Sequence, residues 1–570
     1  MIGGPREPPA WFTPAILGLI VAGHYWVLTR SLSAPIEDFD AVHLYLPLGR
    51  ELVAQGWAFF ADPRSVQAPP VSFIYPMLYG GSIERIKVGN LLLSGLTLLL
   101  VFRSAALSHS RTAGLIAALL FASSPLLRPH LVAPHSEALF LFFSALWFWG
   151  FAEWWINRRP AALVLSAAGL CAAELTRAPI FYWNVLLVAM LAWLAIRPRS
   201  SAPARPLLIA YAAALIVPAA LTAKNLWLFD FPFYVTGGGN ALYQGNNPLT
   251  GGYDPNYLGL GFDVGAIARN QSFLTLEAER LLRGVANVIL AEKSLSFLVQ
   301  MHLQKLAALL FVTSAEPDAL LLRTWRIALL PVAALGIFAL RQNALRWALA
   351  GVFVVLVGLH VPLLYSHRYS VGVMDLWLVI AAGIGLAGAA RSPVLALSAA
   401  AIAGVGIAFG AWAYVHLGRP MPDVFAAGRL LVWRSDENVR LSNGTPVEVR
   451  VRDAPWFRWW NNHVLVLDVE THPDAQGTDC RALLVSYARA DGSGFSAPVT
   501  LQLIESRAAK RYQVGGAPLN LSTEGTLKLA ANCMGGASIT IAKPAIYAAL
   551  GAIDYRERLL GETPLLPVER

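Results

Sequence analysis

The segment IEDFDAVHLY (36–45) places two carboxylates, Asp38 and Asp40, at the start of an amphipathic stretch. One such acid can face a cavity while the other orients it, and a carboxylate held there can take the proton of an attacking hydroxyl. A pair of solvated acids at a helix N-terminus is the plainer alternative, and the spacing alone leaves both open. Two cations complement the acids. Arg177 in ELTRAP and Lys224 in ALTAKNLW each follow an apolar run. Two cations at one membrane depth can hold a phosphate and stabilise charge developing on a leaving group. Each could instead anchor its helix by snorkelling toward lipid headgroups. The segment VTGGGNALYQGNNPLTGGYDPNY (235–257) reads as a loop with little helical character, dense in glycine and in the amides Asn240, Asn246 and Asn247. Tight turns and amide donors suit a polyhydroxylated or phosphorylated ligand.

The elements that must position these groups are membrane helices. Of 570 residues, 56% are hydrophobic and only 14% charged, and the mean hydropathy is +0.53. That is too little charge for the surface of a soluble protein of this size. The composition predicts an α-helical polytopic membrane protein with about 11 transmembrane helices, at 11–28, 86–102, 112–126, 137–155, 161–176, 178–196, 206–223, 324–340, 346–365, 371–389 and 393–416. The first of these is read as a retained helix, because Arg6 precedes it and no small-residue cleavage site follows.

Orientation follows from arginine. Arg103 and Arg111, Arg158 and Arg159, Arg197, Arg199 and Arg205, Arg341 and Arg346, and Arg391 fall in short loops on one side, which is read as cytoplasmic. Two long loops, 30–85 and 224–323, then lie outside. Ser296–Val312 could be a further span, but accepting it would turn Arg341 and Arg346 outward. Within 30–85, Ala41, Leu44, Tyr45, Leu48 and Leu52 recur at helical spacing, as in a helix lying in the membrane–water boundary. Charges at span ends converge on this outer face: Asp38, Asp40, Arg85, His135, Glu137, Arg177, Lys224 and Arg368. An outward-facing polar cavity is the economical account.

Residues 1–418 are therefore read as the membrane domain and 419–570 as an extracytoplasmic domain. In the latter, 446–452, 464–470, 482–488 and 537–543 alternate apolar and polar residues, which predicts a β-sandwich. Cys480 and Cys533 both fall there, and a disulfide between them suits an oxidising compartment. Trp456, Phe457, Trp459 and Trp460 offer faces for a glycan or for the membrane surface.

Five stretches, DFDAVHLYLPLGREL, PHSEALFLFF, ELTRAP, AKNLWLFDFPFYVTGGGNALYQGNN and HRYSVGVMDLWLVIAAGIG, resemble in order the motifs of the bacterial lipid-linked-sugar glycosyltransferases of the GT-C superfamily, in the branch of the protein O-mannosyltransferases and aminoarabinose transferases. The resemblance covers roughly 11–390. It implies a GT-C-like bundle in the bacterial inner membrane, with the active site on the periplasmic face. The donor would be a polyprenyl-phosphate-linked sugar and the acceptor a glycan, lipid or protein, with inversion at the sugar carbon. Asp40 would take the catalytic position, with Asp38 as its substitute. Arg177, Lys224, Arg368 and Arg85 would meet the donor phosphate. Glu137 would bind the sugar or orient Arg177, and His135, Tyr45, Asn225, Asn240, Asn246, Asn247 and Tyr369 would line the sugar and acceptor side. Two departures stand out: Phe39 separates acids that are usually adjacent, and Lys224 replaces an arginine, losing a bidentate fork on phosphate.

No cofactor, metal or nucleic acid is expected, although a divalent ion is not excluded. A transporter or flippase of lipid-linked glycans is the main rival, but it calls for charges at the midplane and internal repeats. A non-catalytic receptor would leave the converging charges unexplained.

Overall fold

The apolar blocks are helices in the computed structural model. It describes residues 11–33, 40–197, 201–246, 261–262, 272–292, 295–311, 319–340, 342–364, 374–390, 431–443, 445–451, 461–475, 480–489, 499–503, 510–517 and 525–550, with isolated positions between 394 and 408. In chain order the helices are α1 (Phe12–Thr29), α2 (Leu46–Gln55), α3 (Pro70–Leu78), α4 (Ile83–Ser108), α5 (Arg111–Ser123) and α6 (Arg128–Val132). Next come α7 (Glu137–Asn157), α8 (Pro160–Glu174), α9 (Pro179–Ala195), α10 (Ser201–Ala214), α11 (Ile216–Phe229) and α12 (Gly238–Asn246). The last five are α13 (Leu276–Glu292), α14 (Leu295–Phe311), α15 (Ala319–Ala339), α16 (Asn343–His360) and α17 (Leu376–Ala389).

Five helical stretches are long and apolar enough to cross a bilayer: Phe12–Thr29, Ile83–Ser108, Glu137–Asn157, Ala202–Phe229 and Asn343–His360. Five shorter apolar helices, Arg111–Ser123, Pro160–Glu174, Pro179–Ala195, Thr324–Ala339 and Leu376–Ala389, fall on other expected spans. The remaining expected span, 393–416, lies almost wholly outside the described residues. Starts and stops follow local chemistry. Ser110 caps α5 by accepting the Ala113 N–H, and Pro160 and Pro179 open α8 and α9 where a missing N–H costs nothing. Asp230, in the left-handed conformation, ends α11.

The chain divides into two compact units, one of Met1–Thr236, Leu321–Leu359 and Arg368–Phe409, the other of Gly237–Leu320, His360–His367 and Gly410–Arg570. In the first unit, small residues let helices approach closely, as membrane packing requires. A side chain at Gly114 would strike the Phe102 carbonyl of α4, and one at Gly150 the Ala162 carbonyl of α8. The amphipathic outer segment folds as expected, with one refinement. A π-helical turn at Ala41–Tyr45 precedes α2, and Tyr45 and Leu48 pack with Phe59, Ala68 and Phe73.

The second unit holds α12 to α14 and the strands. One sheet runs β1 (Gly261–Phe262), β7 (Val499–Gln502), β6 (Cys480–Arg489), β9 (Gly525–Cys533), β4 (Val447–Val451). In the other, β10 (Ser538–Leu550) lies between β2 (Leu431–Arg434) and β5 (Asn461–His472), β8 (Lys510–Ala517) follows β5, and β3 (Val439–Ser442) also pairs with β10. The pairings are antiparallel, and β1 brings part of the long outer loop onto the edge of the first sheet. Period-two burial in β9, buried at every second residue, shows why the alternating segments are strands.

Cys480 and Cys533 stand opposite each other in the β6–β9 register and are joined as a disulfide. With a sequence separation of 53, the chain-entropy model gives about 4 kcal/mol of stabilisation. Full-length protein extracted without reductant should carry this bond when alkylated and mapped by mass spectrometry. Reduction should lower the unfolding temperature of the C-terminal strands. Free thiols at both positions would refute the pairing.

Candidate functional site

Asp40 immediately precedes the π-helical turn, half-buried, and its carboxylate makes no capping bond to that turn. The other acids of the first outer loop that the structure describes are engaged in holding the loop. Asp62 accepts the Arg64 N–H at 2.8 Å and pairs with the guanidinium at 2.6 Å, while Glu51 pairs with Arg64 at 3.0 Å. Hydrogen bonds from Gln55 and Arg64 keep the Glu51 carboxyl below its usual range, and Arg64 does the same for Asp62. A carboxylate held so firmly ionised is a poor proton acceptor. Asp38 lies outside the described residues.

Glu137 opens α7 fully buried, and Arg177 reaches it from the turn after α8, Nη2 to Oε1 at 2.5 Å. The guanidinium, 12% exposed, also lies over the Phe140 ring at 5.8 Å. An anchor snorkelling to headgroups would be far more exposed. Glu137 and Arg177, expected to act together, are in direct contact. Lys224 in α11 donates to the Phe60 carbonyl at 2.8 Å and to Ser65 Oγ at 3.3 Å. An ammonium has three N–H donors, so these bonds occupy two of them.

Backbone bonds stitch these segments together within the first unit. Val71 N donates to Leu175 O at 3.0 Å, and Ser72 Oγ to Thr176 O at 3.2 Å, just before Arg177. Tyr234 Oη donates to Glu174 O at 2.8 Å, and Thr236 N to Val66 O at 2.8 Å. The first outer loop, the ELTRAP turn and the segment after Lys224 are therefore one assembly. His135 is half-buried beside His130, with ring centroids 6.1 Å apart, and Arg85 is exposed on α4.

Several expectations are corrected. Gly238–Asn246 is a helix, not an irregular loop, and its amides are already committed: Gly237 N and Gly239 N donate to the Glu279 carboxylate at 2.9 and 2.7 Å. Three residues expected to line the sugar side are also engaged within the fold. Tyr45 packs in the cluster around Phe59 and Phe73. Asn225 is buried and donates to the Phe233 carbonyl at 2.8 Å, closing the turn that follows α11. Asn246, also buried, donates to Leu242 O and Pro362 O. Asn240 remains half-buried, accepting from Gln244 at 2.9 Å. Asn247, Arg368, Tyr369 and the aromatic run 456–460 lie outside the described residues.

Among the described residues, the buried ionic groups that the sequence did not announce include Arg326, Asp375, Glu279 and Lys305. Arg326 and Asp375 form a fully buried pair at 2.7 Å. Glu279 pairs with Arg283 at 2.6 Å. Lys305 donates to Gly245 O and Leu363 O, and burial pushes its ammonium down to about 7. For Asp375 the signal is a lone charge opening an apolar run. Among the described residues no cluster of three or more His, Cys, Asp or Glu could hold a metal.

Residues 72–223 match the family described as dolichyl-phosphate-mannose-protein mannosyltransferase. Glu137 and Arg177 fall inside the matched stretch; Asp40, Lys224 and α12 fall outside it. Comparison with curated proteins finds no match. Among solved structures, the cryo-EM structure of arabinosyltransferase EmbB from Mycobacterium smegmatis is similar over 98% of this chain and 67% of that one, at 12% identity and a TM-score of 0.30.

Proposed function

We propose that this chain, whose residues 72–223 match a family of membrane mannosyltransferases, is a membrane glycosyltransferase of the GT-C type that moves a sugar from a polyprenyl-phosphate donor to an extracytoplasmic glycan, lipid or protein acceptor. The observation that carries the reading is the Arg177–Glu137 pair, a shielded and oriented cation in one hydrogen-bonded assembly with Lys224 and the Asp40 loop. In the reaction the acceptor oxygen attacks the sugar carbon from the face opposite the phosphate. As that C–O bond forms, the hydroxyl proton passes to the Asp40 carboxylate, while the bond to the phosphate oxygen breaks with its electron pair. Arg177 and Lys224, joined by Arg85 and Arg368, stabilise the departing phosphate. Glu137 fixes the Arg177 fork, and His135 binds the sugar or acceptor. The membrane is the bacterial inner membrane, with this chemistry and the C-terminal domain on the periplasmic side, where a Cys480–Cys533 bond would persist.

The test is donor affinity. Lys224→Ala removes a charge-assisted contact worth about 1.5–3 kcal/mol, so binding of undecaprenyl phosphate should weaken by roughly 10- to 100-fold, and transfer with it. Arg177→Ala should do the same. Wild-type affinity in both variants would sink the assignment.

A further inference from the structure

Arg177 lies between two buried acids that the fold treats differently. Glu137 is its ion-pair partner. Glu174, 0% exposed at the end of α8, has no ion-pair partner among the described residues. Its Oε1 accepts from Asn184 Nδ2 on α9 at 2.5 Å, and its Oε2 has no partner there. Asn184 is as deeply buried. Its nitrogen also reaches the Tyr211 carbonyl at 3.5 Å, and its Oδ1 likewise has no partner among the described residues. Two acceptor oxygens on one contacting pair of side chains are thus left without a donor, which is costly in a buried site. A single proton satisfies both. A neutral Glu174 donates from Oε2 to Asn184 Oδ1 while it accepts at Oε1, which closes an acid–amide ring. The same proton removes the still larger cost of an unpaired buried carboxylate. Cys171, a turn earlier on α8, Tyr234 and Tyr211 lie beside the pair, and none of them can be a cation.

Glu174 also begins the turn that carries Arg177. Three successive carbonyls of that turn accept from elsewhere in the first unit: Glu174 O from Tyr234 Oη, Leu175 O from Val71 N, and Thr176 O from Ser72 Oγ. Arg177 N itself donates to Ala173 O at 2.8 Å. These bonds tie the turn to α3 and to the segment after Lys224, and the Glu174–Asn184 pair ties it to α9. We infer that Glu174 works as a neutral acid and is a positioning residue for Arg177: its ring with Asn184 holds the end of α8 against α9 and so places the guanidinium that meets the donor phosphate. This rests on the glycosyltransferase reading above. Neutrality matters as well as geometry. Glu137 already balances the charge of Arg177. An ionised Glu174, three residues before it, would add a negative charge and repel the phosphate.

Full-length protein in nanodiscs tests this in two ways. At neutral pH the infrared difference spectrum between wild type and Glu174→Gln should contain the C=O stretch of a protonated carboxylic acid. Carboxylate bands in its place would overturn the inference. The second measurement is affinity for undecaprenyl phosphate. Glu174→Ala and Asn184→Leu should each weaken it roughly 10-fold, about 1.4 kcal/mol, and slow transfer by a similar factor. Glutamine carries both the donor and the acceptor of the neutral acid, so Glu174→Gln should restore what Glu174→Ala loses. A Glu174→Gln variant no better than Glu174→Ala would overturn the inference, because the charge of the acid would then be what matters. So would a Glu174→Ala variant that unfolds at lower temperature yet binds with wild-type affinity, since the pair would then serve only the fold. A wild type that does not bind undecaprenyl phosphate would instead overturn the glycosyltransferase reading and the role toward Arg177 with it, while the infrared bands still decide whether the acid is neutral.

Discussion

Asp40→Asn is expected to cut sugar transfer by roughly 10²–10⁴-fold, the usual contribution of a positioned general base, while undecaprenyl phosphate still binds with wild-type affinity. A carboxylate has little driving force to deprotonate a free hydroxyl. It acts as the new C–O bond forms and makes that proton acidic, so its loss falls on turnover and not on donor binding. The amide is close to isosteric with the carboxylate, so the loop should keep its shape. Glu51→Gln and Asp62→Asn are the controls. Both acids are bound to Arg64, and their replacement should loosen the loop without removing the base. Activity surviving in Asp40→Asn but lost in Asp38→Asn would move the base to Asp38. If both carboxamide variants transfer sugar at the wild-type rate, the proposed mechanism is wrong.

What the sequence made legible is what short spacing encodes. The apolar blocks of about twenty residues became helices because no water is available to satisfy their backbone. The period-two segments became strands. Asp40, Arg177 and Lys224 stood out because charges beside apolar spans are costly, and the structure holds these three segments in one assembly. What stayed hidden depended on partners distant in the chain. The α12 segment reads as a loop because glycine propensity says so. The acid that makes it a helix, Glu279, lies 40 residues beyond Gly239, and Lys305 lies 60 beyond Gly245. Likewise Tyr45, Asn225 and Asn246 have the right chemistry for a sugar, yet the fold uses them for packing and backbone satisfaction. Residue type announces what a side chain can do, and burial decides whether a ligand ever meets it.

The Arg326–Asp375 pair sets the second large effect. Both side chains are fully buried, Nη2 to Oδ2 at 2.7 Å, between α15 and the residue that opens α17. Glycines bring these two helices together: side chains at Gly336 or Gly385 would run into the opposing backbone. Asp375→Asn should therefore destabilise the helical unit by about 3–5 kcal/mol, because Arg326 keeps its charge in a site that no longer neutralises it. Arg326→Met should cost a similar amount by stranding the carboxylate. The double variant Arg326→Met with Asp375→Leu should recover most of that loss, since well-packed apolar residues often match or exceed a buried ion pair. Unfolding in mixed detergent micelles, followed by tryptophan fluorescence, would measure all three, with Trp377 beside Asp375 as a built-in reporter. Single variants as stable as wild type would show that the pair is not load-carrying. A double variant no better than either single would show that the two charges do not act as a pair.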